Sequence, residues 1–123
     1  MKYKTKSFLQ RLQIAAFGLK AAFKEEANFR IQVLIATVVL IFMVVFQVSV
    51  VEKSILMLTI LVVLSLELIN SQIEKFLDLI EPNHHPRVKI IKDFSAGAVL
   101  LSVVGSVIIG LLIFLPRLIY FIK

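Results

Sequence analysis

Residues 94 to 115, FSAGAVLLSVVGSVIIGLLIFL, run for 22 positions without a charged side chain. A soluble fold of this size has no interior that could absorb such a run. A helix rising 1.5 Å per residue needs about 20 apolar residues to cross a bilayer, and this stretch supplies them. Two further runs share the property. VLIATVVLIFMVVF at 33 to 46 extends through Gln47 to Val50, and ILMLTILVVLSL at 55 to 66 spans once it borrows from the ELINSQIEKFLD that follows. The expected architecture is therefore all-α and integral to a membrane. An N-terminal surface helix within residues 1–30 precedes transmembrane helices at about 31–50, 54–73 and 94–115. The 123 residues then form one membrane domain, which suits a composition 59% hydrophobic and a mean hydropathy of +0.96.

Cysteine is absent, which removes disulfides and thiolate zinc sites. Tryptophan is absent too, so Phe, Tyr, Lys and Arg must anchor the helices at the interface. No soluble basic domain exists to bind nucleic acid, so the net charge of +6 reads as orientation and contact with anionic lipid. Lys2, Lys4, Lys6, Arg11, Lys20, Lys24 and Arg30 precede the first span, whereas the first loop offers only Lys53 beside Glu52. The second loop carries Lys75, Arg87, Lys89 and Lys92, and only Arg117 and Lys123 follow the third span. The positive-inside rule then puts the N-terminus and second loop in the cytoplasm and the C-terminus outside. Charges at Arg11, Lys20, Lys24, Glu25 and Glu26 argue against a cleavable signal peptide.

In SFLQRLQIAAFGLKAAFKEEANFR at 7 to 30, Phe8, Leu12, Ala15, Leu19 and Phe23 fall on one helical stripe, with Gln10, Gln13, Lys20 and Lys24 largely opposite. Phe17 breaks the pattern and Gly18 weakens the helix. The segment suits a helix lying in the membrane interface. If that helix continues, Glu26 and Arg30 land on the apolar stripe, either as an i, i+4 ion pair or with Glu26 aimed inward at something cationic.

The second span turns polar along a single line. At 100° per residue, Asn70 and Ser71 lie within about 60° of Glu67, and Glu74 and Asp78 within about 20°. A frayed helix end would scatter its polar groups around the axis. A carboxylate at a membrane helix centre costs roughly 2.5–3.5 kcal/mol, less near the boundary, so the line calls for an explanation. It either holds helices together by hydrogen bonds or, with Glu26 close by, holds a divalent cation. Hard carboxylate oxygens are what Mg²⁺ prefers, one or two of them beside substrate phosphates. A deeper carboxylate can then accept a proton from a lipid hydroxyl.

After Asp78 comes LIEPNHHPRVKIIKDF, where Pro82, Asn83 and Pro86 mark a turn. Lys89, Lys92 and Asp93 are expected just before the third span, Asp93 as a possible cap and Lys92 as either a phosphate contact or ordinary positive-inside charge. The adjacent His84 and His85 cannot both face one metal from a helix, and loop solvation is their plain reading. GSVIIGLL at 105 to 112 has P-loop glycine spacing, but Leu111 and Leu112 replace its Lys and Ser/Thr. KDF at 92 to 94 is not DFG. Ala98, Ser102, Ser106 and Gly110 recur every four residues, a small-residue ridge that permits close helix packing.

Together, Glu67 to Asp78 in the form E-[IL]-[IL]-N-[ST]-x-[IL]-E-x-x-x-D, the K-D-x-x-x-x-A-V-L-L element at Lys92 to Leu101, and AAFKEEANFR upstream resemble the small prokaryotic membrane kinases of the diacylglycerol kinase and undecaprenol kinase family. The resemblance runs without gaps from about Gly18 to Leu101. It implies a homotrimer of three-span protomers that phosphorylates a membrane lipid alcohol with ATP and Mg²⁺ at the cytoplasmic face, in sites formed between protomers. By position it implies Glu67 as catalytic base with Asn70 beside it, Glu26 and Glu74 as magnesium ligands, and Asp78 in support. Glu26, Glu74, Asn83, His84, His85, Lys92 and Asp93 are implied for ATP, and Glu67, Arg30 and Ala96 for the lipid.

Gln32 stands where the diacylglycerol type carries a glutamate, and Ser95-Ala96 replaces its Gly-Ser pair. FQVSVVE at 46 to 52 and KDFSAGAVLL resemble the undecaprenol kinases more closely, while Pro82 and Pro86 flank the His pair in a manner of neither type. The expected activity is conversion of undecaprenol to undecaprenyl phosphate, with diacylglycerol as the alternative substrate. Rival readings of the intramembrane carboxylates are an ion or proton conduit and a small oligomeric scaffold.

Overall fold

The computed structural model describes residues 5–83 and 85–123. Four helices follow one another: α1 Phe8–Glu25, α2 Ala27–Val45, α3 Val50–Ile80 and α4 Pro86–Ile122. The last three are long and apolar enough to cross a membrane. α2 leads away from α1, α3 returns and α4 leads away again, so Glu26, the end of α3 and the start of α4 share the α1 end of the bundle.

Caps explain where the helices begin. Gln10 N–H donates to Ser7 Oγ at 3.2 Å while Ser7 N–H donates to Gln10 Oε1 at 3.0 Å, a capping box for α1. Ser49 and Glu52 repeat it at α3, at 3.1 and 3.2 Å. α1 runs through Gly18 and then stops for one residue. Glu26 leaves helical geometry at φ −107°, ψ 106°, and α2 begins immediately after it. The Arg30 guanidinium donates to the freed carbonyls of Phe23 and Lys24, at 3.0 and 2.8 Å. The break overturns the expectation of a continuous helix, and with it the Glu26–Arg30 pair: the two groups have different partners.

α2 ends earlier than its apolar run suggests. Gln47 takes φ 49°, Val48 N–H donates to Met43 O and Gln47 N–H to Val44 O, both at 3.4 Å, which is a Schellman turn. The turn folds Val48 back onto Met43, where they join Leu56 and Ile113 in the buried core of this far end. Phe42, Phe46, Phe114 and Phe121 extend it through edge-on and, for Phe46 with Phe114, tilted ring contacts with centroids 5.7 to 6.2 Å apart.

α3 and α4 outrun the hydrocarbon thickness: 31 and 37 residues correspond to about 46 and 55 Å at 1.5 Å each. α4 begins at Pro86, whose missing N–H costs nothing in the first turn, and passes through Pro116. Its N-cap is His85, whose Nδ1 accepts from Arg87 N–H at 3.0 Å. Asp93, expected as a cap ahead of the span, lies well inside α4 and pairs with Lys89 at 2.7 Å. At the far end Arg117 reaches across to the Glu52 carboxylate with both terminal nitrogens, NH1 at 2.7 Å.

α3 and α4 pack most extensively, yet most apolar side chains of all three spans remain exposed. Among the described residues nothing lies within 4 Å of where a Cβ on Gly97, Gly105 or Gly110 would stand, and on the small ridge of α4 Ala98 is exposed while Ser102, Ser106 and Gly110 are half-buried. Ser102 and Ser106 turn their hydroxyls onto Val99 and Val103 carbonyls, both at 2.7 Å.

Candidate active site

The polar line of α3 divides by depth. Glu67 and Ser71 are buried, each 6% exposed, whereas Glu74 and Asp78 are open. Asn70 is half-buried between them. Glu67 sits about 10 Å along the axis from Glu74, seven residues at 1.5 Å. Ser71 Oγ donates to Leu68 O at 3.0 Å, so its hydroxyl is satisfied within α3.

The kink at Glu26 gives that line its companion. With α1 and α2 meeting at one extended residue, the Glu26 side chain turns toward α3, and its Oε1 lies 2.6 Å from Lys75 Nζ. Glu25 Oε2 takes the same ammonium at 3.5 Å. Glu67 has the Gln32 side chain as its neighbour and lies within the field of Glu26 and Glu74. Glu26 and Glu74 thus both act electrostatically on Glu67, although the sequence places the three acids on two helices. The inward reading of Glu26 holds, and the cation that it meets is Lys75.

Gln32 Oε1 is buried and receives no hydrogen bond, whereas the buried Glu26 Oε1 has the Lys75 ammonium at 2.6 Å. An anionic oxygen shielded from water calls for a cation, and here Lys75 supplies it. Hard carboxylate oxygens of Glu26, with exposed Glu74 nearby, fit magnesium by ligand chemistry. Among the described residues no three Asp, Glu or His groups converge enough to enclose an ion by themselves.

A second polar group joins α3 to α4. Lys92 pairs with Asp78, and beside it lies a cavity of about 390 Å³ lined by Glu81, Pro86, Val88, Lys89 and Lys92. Lys92 is thus held at the mouth of the α3–α4 turn, with Asp93 one residue on and facing Lys89. Asn83 and His85 are exposed in the turn, and capping by Nδ1 leaves the His85 ring proton on Nε2. His84 lies outside the described residues. Of the residues expected to meet lipid, Glu67 is in the acidic cluster, Arg30 is spent on the α1 carbonyls, and Ala96 is exposed on α4.

Sequence reasoning missed Lys75 and Gln32 as members of the site. Lys75 counted only as loop charge, although its place next to Glu74 put it beside the polar line. Gln32 stood out only as a departure from a pattern.

A family model described as prokaryotic diacylglycerol kinase matches residues 13–114. Undecaprenol kinase of Bacillus subtilis is 43% identical over 111 residues, covering 90% of this chain and 90% of that protein. Diacylglycerol kinase of Synechocystis is 34% identical over 91% of this chain and 65% of its own length. Diacylglycerol kinase of Escherichia coli K12 is 30% identical over 85% of this chain and 88% of its own.

Proposed function

The chain belongs to the prokaryotic diacylglycerol kinase family and is a lipid kinase, and from that premise we propose that it phosphorylates undecaprenol with magnesium-ATP. The observation that carries the reading is the pairing of a buried carboxylate with an acidic cluster nearer the helix end. In this reading the buried Glu67 meets the lipid hydroxyl, and Glu26 and Glu74, nearer the helix end, face the nucleotide.

In the proposed transfer, the lipid hydroxyl oxygen forms a bond to the γ-phosphorus of ATP. The bond from that phosphorus to the β,γ-bridging oxygen breaks, and ADP leaves. The hydroxyl proton passes to Glu67, and Asn70, one turn on, orients the carboxylate and the acceptor. Glu26 and Glu74 hold the magnesium, which supplies charge neutralisation at the phosphate oxygens. Lys92 and Asp93 contact the nucleotide, with Asp78 fixing Lys92, and Asn83 and His85 close over it from the turn; His84 is assigned to the nucleotide by its place in the sequence alone. Arg30 and Ala96 border the lipid.

Undecaprenol is favoured because the 43% identical relative bears that substrate in its name. Diacylglycerol is the second substrate, since two further relatives are diacylglycerol kinases. The exposed apolar faces of the spans and the open space beside Gly110 on α4 support assembly as a homotrimer. The surface helix α1, exposed from Phe8 to Lys20, lies on the cytoplasmic face among lipid head groups. The C-terminus is then external, by the excess of lysine and arginine at the α1 end.

The test is purified protein in mixed micelles with magnesium-ATP and either undecaprenol or diacylglycerol, beside Glu67→Gln. Phosphate on undecaprenol, faster than on diacylglycerol and lost in the variant, is expected. If neither lipid gains phosphate the kinase assignment fails, and an equally active variant removes Glu67 as base.

A further inference from the structure

Lys75 is a cation held where the site needs one. Its Nζ lies 2.6 Å from Glu26 Oε1 and 3.5 Å from Glu25 Oε2, and the next residue back along α3 is Glu74. Glu26 Oε1 is buried, and the Lys75 ammonium at 2.6 Å is what neutralises it. The Lys75 side chain is half exposed, 48%, against 19% for Glu26. The carboxylate is therefore fixed in the protein while the ammonium, on a flexible stem, can leave toward solvent.

That asymmetry has a chemical meaning at a phosphoryl-transfer site. A divalent cation and Lys75 compete for one carboxylate oxygen. Magnesium-bound ATP is itself an anion, and it must enter beside Glu25, Glu26, Glu67 and Glu74. Once displaced, the ammonium keeps only the exposed Glu25 as a carboxylate partner, at 3.5 Å, and a phosphate oxygen can compete for it.

We propose that Lys75 is a nucleotide-binding residue that exchanges partners, neutralising Glu26 when the site is empty and moving onto a phosphate of ATP when the metal takes Glu26. The proposal rests on the assignment of Glu26 to the metal given above. It makes the unoccupied site electrically quiet and couples arrival of metal to release of the phosphate-binding group.

The exchange separates two affinities that a plain phosphate contact would leave linked. Removing the Lys75 charge should strengthen binding of metal alone and weaken binding of nucleotide. The probe for the first is Mn²⁺, counted by electron paramagnetic resonance on the full chain in detergent micelles without nucleotide. The probe for the second is the β,γ-methylene analogue of ATP with magnesium, followed by calorimetry. Lys75→Met is expected to bind Mn²⁺ about two- to fivefold more tightly, the range of a partly exposed ion pair. The same variant is expected to bind the analogue about tenfold more weakly, the loss of one charge-assisted hydrogen bond. Lys75→Arg keeps the charge and should leave the Mn²⁺ affinity at the wild-type value.

Unchanged or weaker Mn²⁺ binding in Lys75→Met overturns the exchange, as does unchanged analogue binding. Tightening in Lys75→Arg equal to that in Lys75→Met overturns it as well, because charge is then not the cause. Glu26→Gln serves as the control on the underlying assignment. Wild-type Mn²⁺ affinity in Glu26→Gln removes the metal from Glu26. Lost affinity there, beside no effect of Lys75→Met, leaves the metal site standing and rejects the exchange alone.

Discussion

Glu52 and Arg117 tie the start of α3 to the end of α4. The Glu52 carboxylate accepts from both terminal nitrogens of Arg117 while also closing the capping box on Ser49. One side chain thus sets where α3 begins and how α4 leans on it, at the end of the bundle opposite the acidic cluster. The Arg117 NH1 also reaches Ile113 O at 2.8 Å, within the turn that Pro116 deprives of an N–H.

Arg117→Met is expected to lower the melting temperature in detergent without changing lipid specificity. Glu52→Gln should cost more than Arg117→Met, since it disturbs the cap and the pair together. Thermal unfolding of both single variants and the double variant measures the coupling between them; additive losses would show that the bidentate contact is energetically idle.

Gln47 is the left-handed residue of the Schellman turn. A non-glycine residue there carries a conformational cost of about 1 kcal/mol, so Gln47→Gly should stabilise and Gln47→Val should destabilise. Melting curves that rank the three in any other order contradict the role of this turn in seating Val48 on Met43.

Glu67→Gln preserves shape and removes the proton acceptor. Turnover is expected to fall by about 10²- to 10⁴-fold, the usual contribution of a positioned base. Binding of the methylene analogue of ATP should stay at the wild-type value. A matching loss of nucleotide affinity would move Glu67 from the chemistry to the binding site.

Lys92→Met is expected to raise the KM for ATP, while Asp78→Asn changes it less, because it frees Lys92 without removing it. Both residues are partly solvated, so their pair should contribute little to the melting temperature. Steady-state kinetics over a range of ATP concentrations distinguishes the two variants.

Stripping divalent cations with EDTA should abolish phosphate transfer, and added Mg²⁺ should restore it. Glu74→Gln is expected to raise the Mg²⁺ concentration needed for half-maximal rate. A rate indifferent to EDTA would remove magnesium from the proposed mechanism.

The three spans were legible in the sequence because length and hydropathy decide what crosses a bilayer. The line from Glu67 to Asp78 was legible because helical periodicity is a local property. The rest depended on contacts between distant segments. AAFKEEANFR contains strong helix formers and no glycine or proline, so nothing local announces the break at Glu26. Gln47 is a poor sequence signal for a left-handed cap, and α2 stops there because Val48 has a buried place to go. Asp93 looked like a cap because the apolar run starts beside it, but Pro86 and His85 begin α4 two turns earlier. Lys75 was counted for its sign, and only folding shows which acid it meets.

The one-residue junction at Glu26 leaves no slack between α1 and α2. A loop would let the surface helix rock with the head groups while the first span held still. A single extended residue, with Arg30 clasping the carbonyls before it, instead fixes the direction of α1 against α2. The same pair of backbone angles aims the Glu26 carboxylate at Lys75, so the direction of the surface helix and the charge pairing of the site are set at one Cα.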